Sequence, residues 1–272
     1  MLRSLAARKY PDILKKLLVR VLREGGRLAI VYGPQGSGKT TLLEWVARGV
    51  YEIYGLDEVI IWRGQEDCLW ADFLEMGIPV RILYLGPEPI IVDGITGEPV
   101  GLDVPIVPVE TPQAVLDACH PDYVNVLYIH ATDPLDFTAR WLEVFKLLRY
   151  KPHGWVSLFF DEIEDLAPAN AQGELWNLNK EIARMVKEFR KNLTSLYAAT
   201  QNHFDLDFRV KGKFQFKIYL AGAIVPDKSR VWQKAVDALP KGWGWVEGTK
   251  FEPFCFDPLP KGPKLKVLNY AI

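Results

Sequence analysis

The chain has 272 residues, of which 49% are hydrophobic and 25% charged, and its formal net charge at pH 7 is -1. This composition is typical of a folded α/β core and excludes a disordered or low-complexity chain. No apolar run approaches the roughly 18 residues of a membrane span, so we expect no transmembrane helix and a cytoplasmic protein.

The first predicted element is a basic amphipathic helix at residues 11–23, in which apolar side chains recur at helical spacing. These side chains are Ile13, Leu14, Leu17, Leu18, Val21 and Leu22. We expect this face to pack on the core or on a neighbouring subunit. Residues 1–26 are therefore predicted to form a basic helical extension ahead of a single domain at residues 27–272.

A strand, a glycine-rich loop and a helix follow in the order that a phosphate-binding site requires. Residues 27–32 have the pattern of a buried strand and residues 41–50 that of an amphipathic helix. The loop between them matches G-x-x-x-x-G-K-S/T at every fixed position. It consists of Gly33, Pro34, Gln35, Gly36, Ser37, Gly38, Lys39 and Thr40.

Each residue type that the pattern fixes in this loop has a role in binding a nucleoside triphosphate. The glycines let consecutive N–H groups approach an anion, and the helix dipole adds to their field. We expect Lys39 to reach the β- and γ-phosphates of ATP, and the Thr40 hydroxyl to ligate Mg²⁺. Thr41 completes the predicted ATP-binding set.

The middle of the chain alternates between strand and helix patterns. Strands are predicted at 59–62, 81–85 and 123–129, and helices at 66–76, 111–119 and 135–148. This alternation predicts an α/β fold with a mostly parallel central sheet flanked by helices, as in a RecA-like P-loop NTPase core of the ASCE type. Residues 86–108 are rich in Pro and Gly and are predicted to be a hairpin-like insertion that carries partner specificity.

An acidic pair follows a strongly apolar strand pattern at residues 155–160. Asp161 and Glu162 come at its carboxyl end, the edge at which the glycine loop also lies in a parallel sheet. Asp161 is predicted to hold the Mg²⁺ water shell and Glu162 to polarise the attacking water. Glu164 is the alternative base, and a solvated strand end is the other interpretation, since Asp165 extends the acidic cluster.

A further strand pattern at residues 194–199 ends in Thr200 and Gln201. We expect Gln201 to hydrogen-bond the γ-phosphate or the water and to report hydrolysis to the chain that follows. Arg184 and Arg190 lie on the preceding helix pattern. Arg190 is the favoured candidate to reach a neighbouring subunit's γ-phosphate, and pairing of either arginine with surface glutamates is the alternative.

These segments carry a family resemblance. Asp161-Glu162-Ile163-Glu164-Asp165-Leu166 resembles the acidic motif of FtsK and HerA translocases, and residues 182–201 resemble their helix, strand and Ala-Thr-Gln sensor. Together with the glycine loop they are similar to the HerA/FtsK superfamily of P-loop ATPases, in the compact branch of Zot-like and viral genome-packaging ATPases. The resemblance implies an ATP-hydrolysing motor that translocates or packages double-stranded DNA as a homo-oligomer, expected to be a hexameric ring, with a viral or plasmid structural partner.

The downstream region is basic and aromatic. Its cations either face DNA phosphates or form ordinary solvated surface. They are Arg209, Lys211, Lys213, Lys217, Lys228 and Arg230. We expect Trp232, Trp243 and Trp245 to pack in the core, because a protein that grips duplex DNA by its backbone has no exposed bases to stack on.

Two other functions remain open at this point. The first alternative is a nucleotide-dependent assembly or switch ATPase that never translocates DNA, as in Zot-like morphogenesis. A small-molecule kinase is disfavoured because no acceptor pocket or lid is evident. The three cysteines form no C-x-x-C pair and the four histidines show no metal-ligand spacing, so no disulfide framework and no zinc site are predicted.

Overall fold

The computed structural model describes residues 12–20, 24–151, 153–247 and 252–270. The strands are β1 Leu28–Tyr32, β2 Glu58–Arg63, β3 Val80–Leu85, β4 Ile91–Asp93, β5 Ile106–Pro108, β6 Val124–Ile129, β7 Trp155–Phe160, β8 Thr194–Thr200, β9 Phe216–Leu220, β10 Trp243–Glu247, β11 Glu252–Cys255 and β12 Leu265–Val267. The helices are α1 Asp12–Leu17, α2 Lys39–Tyr54, α3 Ala71–Glu75, α4 Val115–Ala118, α5 Pro134–Tyr150, α6 Gly173–Phe189, α7 Phe208–Lys211 and α8 Gln233–Asp237.

Ten strands form one sheet in the order β11-β10-β9-β1-β8-β7-β2-β6-β3-β5. All pairs from β9 to β5 are parallel, whereas β10 and β11 add to the β9 side in antiparallel orientation. The predicted α/β fold with a mostly parallel sheet is therefore confirmed. In such a sheet the carboxyl ends of β1, β8, β7 and β2 are neighbours, which is where β1 delivers the glycine loop and β7 the acidic pair.

The sheet is buried on both faces because its strands alternate between two apolar clusters. On one face α2 packs with residues such as Ala29 and Val31 of β1. On the other face α5 and α6 cover Leu28 and Ile30. This double burial explains why the central strands read as continuous apolar runs rather than as alternating patterns.

The helix predicted at 11–23 is shorter than expected within the described residues. It ends at Leu17, and Arg20 then turns into the sheet, where its Nε donates to Glu58 Oε2 at 2.8 Å. The Glu58 side chain is also bonded by Ser157 Oγ. Removing either partner of a buried ion pair destabilises the fold, because the other charge is left buried without a partner. The pair therefore anchors Arg20 to the sheet beside Glu58. Residues 1–11 and 21–23 of the predicted extension lie outside the described residues.

The predicted helix at 66–76 is also only partly correct, because α3 covers just Ala71–Glu75. Asp67 instead bridges Lys266, and the Cys68 N–H donates to Leu265 O at 3.1 Å. A tertiary backbone pairing has thus replaced the first helical turn.

The Pro/Gly-rich segment at 86–108 contains a tight turn and two strands. Asp93 N donates to Glu98 O, and Gly97 N donates back to Asp93 O, both at 2.8 Å. The strand before the turn, β4, pairs with β12, and the segment ends in β5, which extends the main sheet beside β3. Within the described residues no helix combines the length and apolar character needed to cross a bilayer.

The stability of the α5–α6 face depends on an aromatic cluster around Phe145. Its ring centroid lies 4.9 Å from that of Phe189 and 6.1 Å from that of Phe160, and the side chain is fully buried. We expect Phe145→Ala to lower the free energy of unfolding by about 3–5 kcal/mol, because it leaves a cavity among rigid rings. Urea denaturation followed by circular dichroism measures the change.

The matched control is Leu56→Ala, because the Leu56 side chain is 66% exposed. It should change the free energy of unfolding by less than about 0.5 kcal/mol. A Phe145→Ala effect as small as that of the control would show that this cluster does not stabilise the fold.

Candidate active site

A cleft of about 560 Å³ opens at the carboxyl ends of β1, β8, β7 and β2. The residues predicted for the site that line this cleft are Gln35, Gly36, Gly38, Lys39, Thr40, Thr41, Asp161, Glu162 and Gln201. Gly33, Pro34 and Ser37 shape the loop without lining the cleft. Three motifs that are far apart in sequence therefore meet around one space that is open to solvent.

The glycine loop has the backbone geometry of an anion cradle. Gly36 and Gly38 have φ angles of 76° and 99°, a conformation that favours glycine over residues with a side chain. At Gly33 a Cβ atom would lie 2.4 Å from Ser37 Oγ, so a larger residue there would force the Ser37 side chain to move. Helix α2 then begins at Lys39, so its N-terminal N–H groups and the positive end of its dipole face the cleft.

Lys39 and Thr40 extend from the first turn of α2. The Lys39 side chain is buried, and its Nζ donates to Pro34 O at 3.2 Å, which curls the chain over the loop. Thr40 Oγ1 donates to Asp161 Oδ2 at 2.5 Å, which joins the glycine loop directly to the end of β7. The ammonium group and the hydroxyl are thus placed on the same side of the cradle.

The donors around Thr40 fit Mg²⁺. A hydroxyl and a buried carboxylate are the hard oxygen ligands that this ion prefers, and it usually binds through one or two such groups together with substrate phosphates and water. Among the described residues no group of three or more His, Cys, Asp or Glu side chains is placed to hold a metal ion by itself. A magnesium ion here would therefore depend on the nucleotide for most of its ligands.

Glu162 projects into the cleft from an unusual backbone conformation. Its φ and ψ angles are 55° and 58°, in the left-handed region that non-glycine residues rarely adopt. Gln65 Nε2 donates to Glu162 Oε2 at 2.9 Å, which leaves the other carboxylate oxygen available. Burial, together with the negative charges of Asp165 and Asp161, raises the pKa of Glu162 and makes it a stronger base once it is ionised.

Arg63, at the end of β2, holds the acidic turn in place. Its buried guanidinium donates from Nη1 to the backbone oxygens of Asp161 and Glu162, both at 2.9 Å, and from Nη2 to Asp165 Oδ2 at 2.6 Å. These contacts help to hold the strained backbone at Glu162. Sequence reasoning missed Arg63 and Gln65, although both follow a predicted strand at the same sheet edge as Asp161.

Gln201 lies between the glycine loop and the acidic turn because β8 lies between β1 and β7. Its side chain is exposed at the cleft, and its backbone N–H donates to Glu164 Oε1 at 3.3 Å. Glu164, the alternative base, does not line the cleft and instead supports the end of β8. The geometry therefore favours Glu162 as the residue that faces the substrate.

Comparisons with known proteins agree with this arrangement. The genome-packaging NTPase B204 from Sulfolobus turreted icosahedral virus 2, in complex with ATP-gammaS, matches with a TM-score of 0.54 at 13% identity, over 86% of this chain and 98% of that chain. The bacterial conjugative coupling protein TrwBdeltaN70 matches with a TM-score of 0.53 at 13% identity, over 93% of this chain and 89% of that chain. The chain has a P-loop NTPase fold. At 13% identity these matches show the fold, and membership in the HerA/FtsK superfamily stays a prediction.

No protein-family model matches the chain, and no curated protein sequence is significantly similar to it. The relationship is therefore visible in the P-loop NTPase fold and not in overall sequence similarity.

The two candidate arginines lie away from the cleft of their own chain. Arg190 comes just before β8, at the opposite edge of the sheet, where its Nη2 donates to Glu24 O at 3.3 Å. Arg184 is exposed on α6 and pairs with Glu181 at 3.1 Å, as the surface interpretation expects. Action of Arg190 on a neighbouring subunit's nucleotide stays a prediction.

Residues that follow β11 lie against the P-loop and beside the cleft, an arrangement that the sequence did not predict. The Phe256 ring lies 3.1 Å from the point where a Cβ on Gly38 would be, so the ring packs on the P-loop itself. Trp45 Nε1 of α2 donates to Asp257 O at 2.8 Å. Lys261 and Tyr270 also line the cleft, and Lys261 Nζ pairs with Asp72 Oδ2 at 2.5 Å.

Glu164 is expected to make stability depend on pH. Burial raises its pKa to about 7, and its Oε2 has no hydrogen-bond partner among the described residues. The native state therefore favours the protonated acid, and this contribution is fully present below the usual glutamate pKa and is lost as pH rises through about 7. Between about pH 5 and pH 8 the free energy of unfolding should fall by about 2 kcal/mol more than in Glu164→Gln.

Urea denaturation of both proteins at the two pH values measures this difference, in which the other titrating groups cancel. Parallel pH profiles for the unaltered protein and Glu164→Gln would contradict the assignment of a raised pKa to Glu164.

Proposed function

We propose that the chain is a Mg²⁺-dependent ATPase that assembles as a ring, expected to be a hexamer, and translocates or packages double-stranded DNA. The observation that carries this proposal is the convergence of the glycine loop, the Thr40–Asp161 contact, Glu162 and Gln201 on one cleft. The matched structures include a genome-packaging NTPase in complex with ATP-gammaS and a conjugative coupling protein, which supports a nucleotide-driven DNA motor. A viral or plasmid structural partner belongs to the same proposal.

Binding of ATP follows from the placement of positive charge. The triphosphate lies on the N–H groups of residues 36–40, and Lys39 exchanges its bond to Pro34 O for phosphate oxygens. Thr40 and Asp161 would hold the magnesium ion, which neutralises phosphate charge when it is bound. Tyr270 lines the cleft, and the Phe256 ring supports the P-loop at Gly38.

Hydrolysis requires a water in line with the γ-phosphorus. The free carboxylate oxygen of Glu162 accepts a proton from this water as its oxygen attacks the γ-phosphorus, and the bond to the β–γ bridging oxygen breaks to give ADP and inorganic phosphate. Gln65 keeps the carboxylate oriented by binding its other oxygen. Gln201, attached to the end of β8, loses its contact when the γ-phosphate leaves and passes that change to the residues that follow.

The decisive experiment combines ATPase assays with and without duplex DNA, at several salt concentrations, with sizing in the presence of nucleotide. Stimulation by duplex DNA that weakens with salt, together with a nucleotide-dependent ring, would support the motor. Hydrolysis that is indifferent to DNA, in a protein that does not bind it, would favour the assembly or switch ATPase instead. Absence of hydrolysis under all conditions would overturn both.

A further inference from the structure

The segment between β9 and β10, residues 221–242, begins and ends beside the nucleotide cleft. At its start, a Cβ on Gly222 would lie 3.2 Å from Pro34 Cγ of the P-loop. At its end, Lys241 lines the cleft. We call residues 221–242 the Trp232 segment, because between these two points it carries Trp232, whose side chain is 79% exposed.

The prediction that Trp232 packs in the core is therefore wrong. So is the prediction for Trp243, which is 41% exposed, whereas packing of Trp245 against the core is confirmed.

The Trp232 segment is held by hydrogen bonds at several points. Gln233 accepts from Val225 N at 2.8 Å and donates to Ala223 O at 2.9 Å, which ties the start of α8 to the residues that leave β9. Glu247 of β10 accepts from Ser229 Oγ at 2.8 Å and from Arg230 N at 3.2 Å. The exposed indole is thus presented by an ordered scaffold, as expected of a contact residue.

The charge of the segment points to a polyanionic partner. It carries four cations against two acids, and each of the four side chains is exposed. These cations are Lys228, Arg230, Lys234 and Lys241. Within the described part of the chain none of the four makes a side-chain ion pair, in contrast to Arg184 and Lys191 beside glutamates of α6. Cations without carboxylate partners release counterions when they meet phosphates, which is the main source of nucleic-acid affinity.

We propose that the Trp232 segment is the surface through which this protein contacts the sugar–phosphate backbone of duplex DNA. Lys228, Arg230 and Lys234 bind phosphates, and the flat face of Trp232 packs on the deoxyribose between them. The segment leaves β9 against Pro34 of the P-loop and ends at Lys241, which lines the cleft. In this proposal, DNA contact on the segment is therefore coupled to the nucleotide state. This inference rests on the proposed function.

The test compares two triple variants in binding to a fluorescent duplex of about 30 base pairs, titrated over a range of salt concentrations. Removal of three phosphate contacts in Lys228→Ala/Arg230→Ala/Lys234→Ala should make the slope of log K against log salt shallower by about 2 to 3. The control, Lys180→Ala/Lys187→Ala/Lys191→Ala, removes the same charge from exposed positions on α6 and on the turn that follows it. This control should keep most of the salt dependence of the unaltered protein. If the slope became shallower by the same amount in both triple variants, the loss of net charge alone would explain it, and the proposal would be overturned.

Trp232→Ala separates packing from charge. We expect it to weaken duplex binding by about 5-fold or more with an unchanged salt slope, because a ring contact releases no counterions. Its aromatic control is Trp176→Ala, which removes an exposed indole from α6. A larger loss on a single strand of the same sequence than on the duplex would show base stacking instead and would overturn the backbone contact.

Folding and the proposed function are checked in the same preparations. None of these variants alters a residue of the cleft, so ATP hydrolysis without DNA should be unchanged, while its stimulation by duplex DNA should be lost in the Trp232 segment variants only. If the unaltered protein binds no DNA, the proposed function itself fails. If it binds DNA and the segment variants bind equally well, or lose assembly instead, only the assignment of this surface fails.

Discussion

Glu162→Gln is expected to bind ATP as tightly as the unaltered protein and to hydrolyse it at least about 100-fold more slowly, the usual contribution of a positioned general base. The amide keeps the size of the side chain and can still bond to Gln65, but it has no basic oxygen for the proton of the attacking water. Arg63 holds the backbone of the turn, so the variant should keep the fold. Equilibrium binding of a fluorescent ATP analogue and single-turnover hydrolysis measure the two quantities separately.

Glu164→Gln is the matched control, because it makes the same chemical change two residues away at a side chain that does not line the cleft. It should retain most of the hydrolysis rate. If Glu164→Gln abolished turnover and Glu162→Gln did not, the two glutamates would have to exchange roles.

Lys39→Ala is expected to lose both binding and turnover. A charge-assisted hydrogen bond contributes about 1.5–3 kcal/mol, so loss of the ammonium group should weaken ATP binding by a factor of roughly 10 to 100. Turnover should fall further, because Lys39 also neutralises charge that develops on the γ-phosphate. Isothermal titration with ATP and steady-state hydrolysis at saturating nucleotide measure the two losses.

The control for charge alone is Lys261→Ala, which removes an ammonium group that lines the cleft but pairs with Asp72 and Glu44. It should affect stability more than ATP affinity. Equal loss of affinity in Lys39→Ala and Lys261→Ala would mean that the general field of the cleft, and not the P-loop lysine, binds the triphosphate.

Local chemistry was sufficient to predict the central part of the fold and the motifs. The strand predicted at 155–160 is observed with the same bounds, because six apolar or small residues between a helix and an acidic pair suit only a doubly buried strand. The meeting of Lys39, Asp161 and Gln201 followed from the rule that carboxyl ends of parallel strands share one edge. These features depend on short-range patterns and on general topology.

The rest depended on contacts between distant parts of the chain. From the local sequence, Arg63 is only a polar residue at the end of a strand. The pairing of β2 with β7 shows that it hydrogen-bonds the turn after Phe160. Trp232 was expected to be buried because duplex DNA offers no exposed bases for an indole to stack on, but hydrogen bonds of Gln233 and Glu247 hold its segment at the surface. Sequence periodicity does not predict hydrogen-bond partners of this kind.

The packing of Phe256 and Asp257 on the P-loop and on α2 has a consequence for biosynthesis. Trp45 and Asp257, which share a hydrogen bond, are 212 residues apart. During translation, the glycine loop therefore leaves the ribosome long before Phe256 and Asp257 are made. The native packing on the P-loop and on α2 can be completed only after residue 257 has emerged.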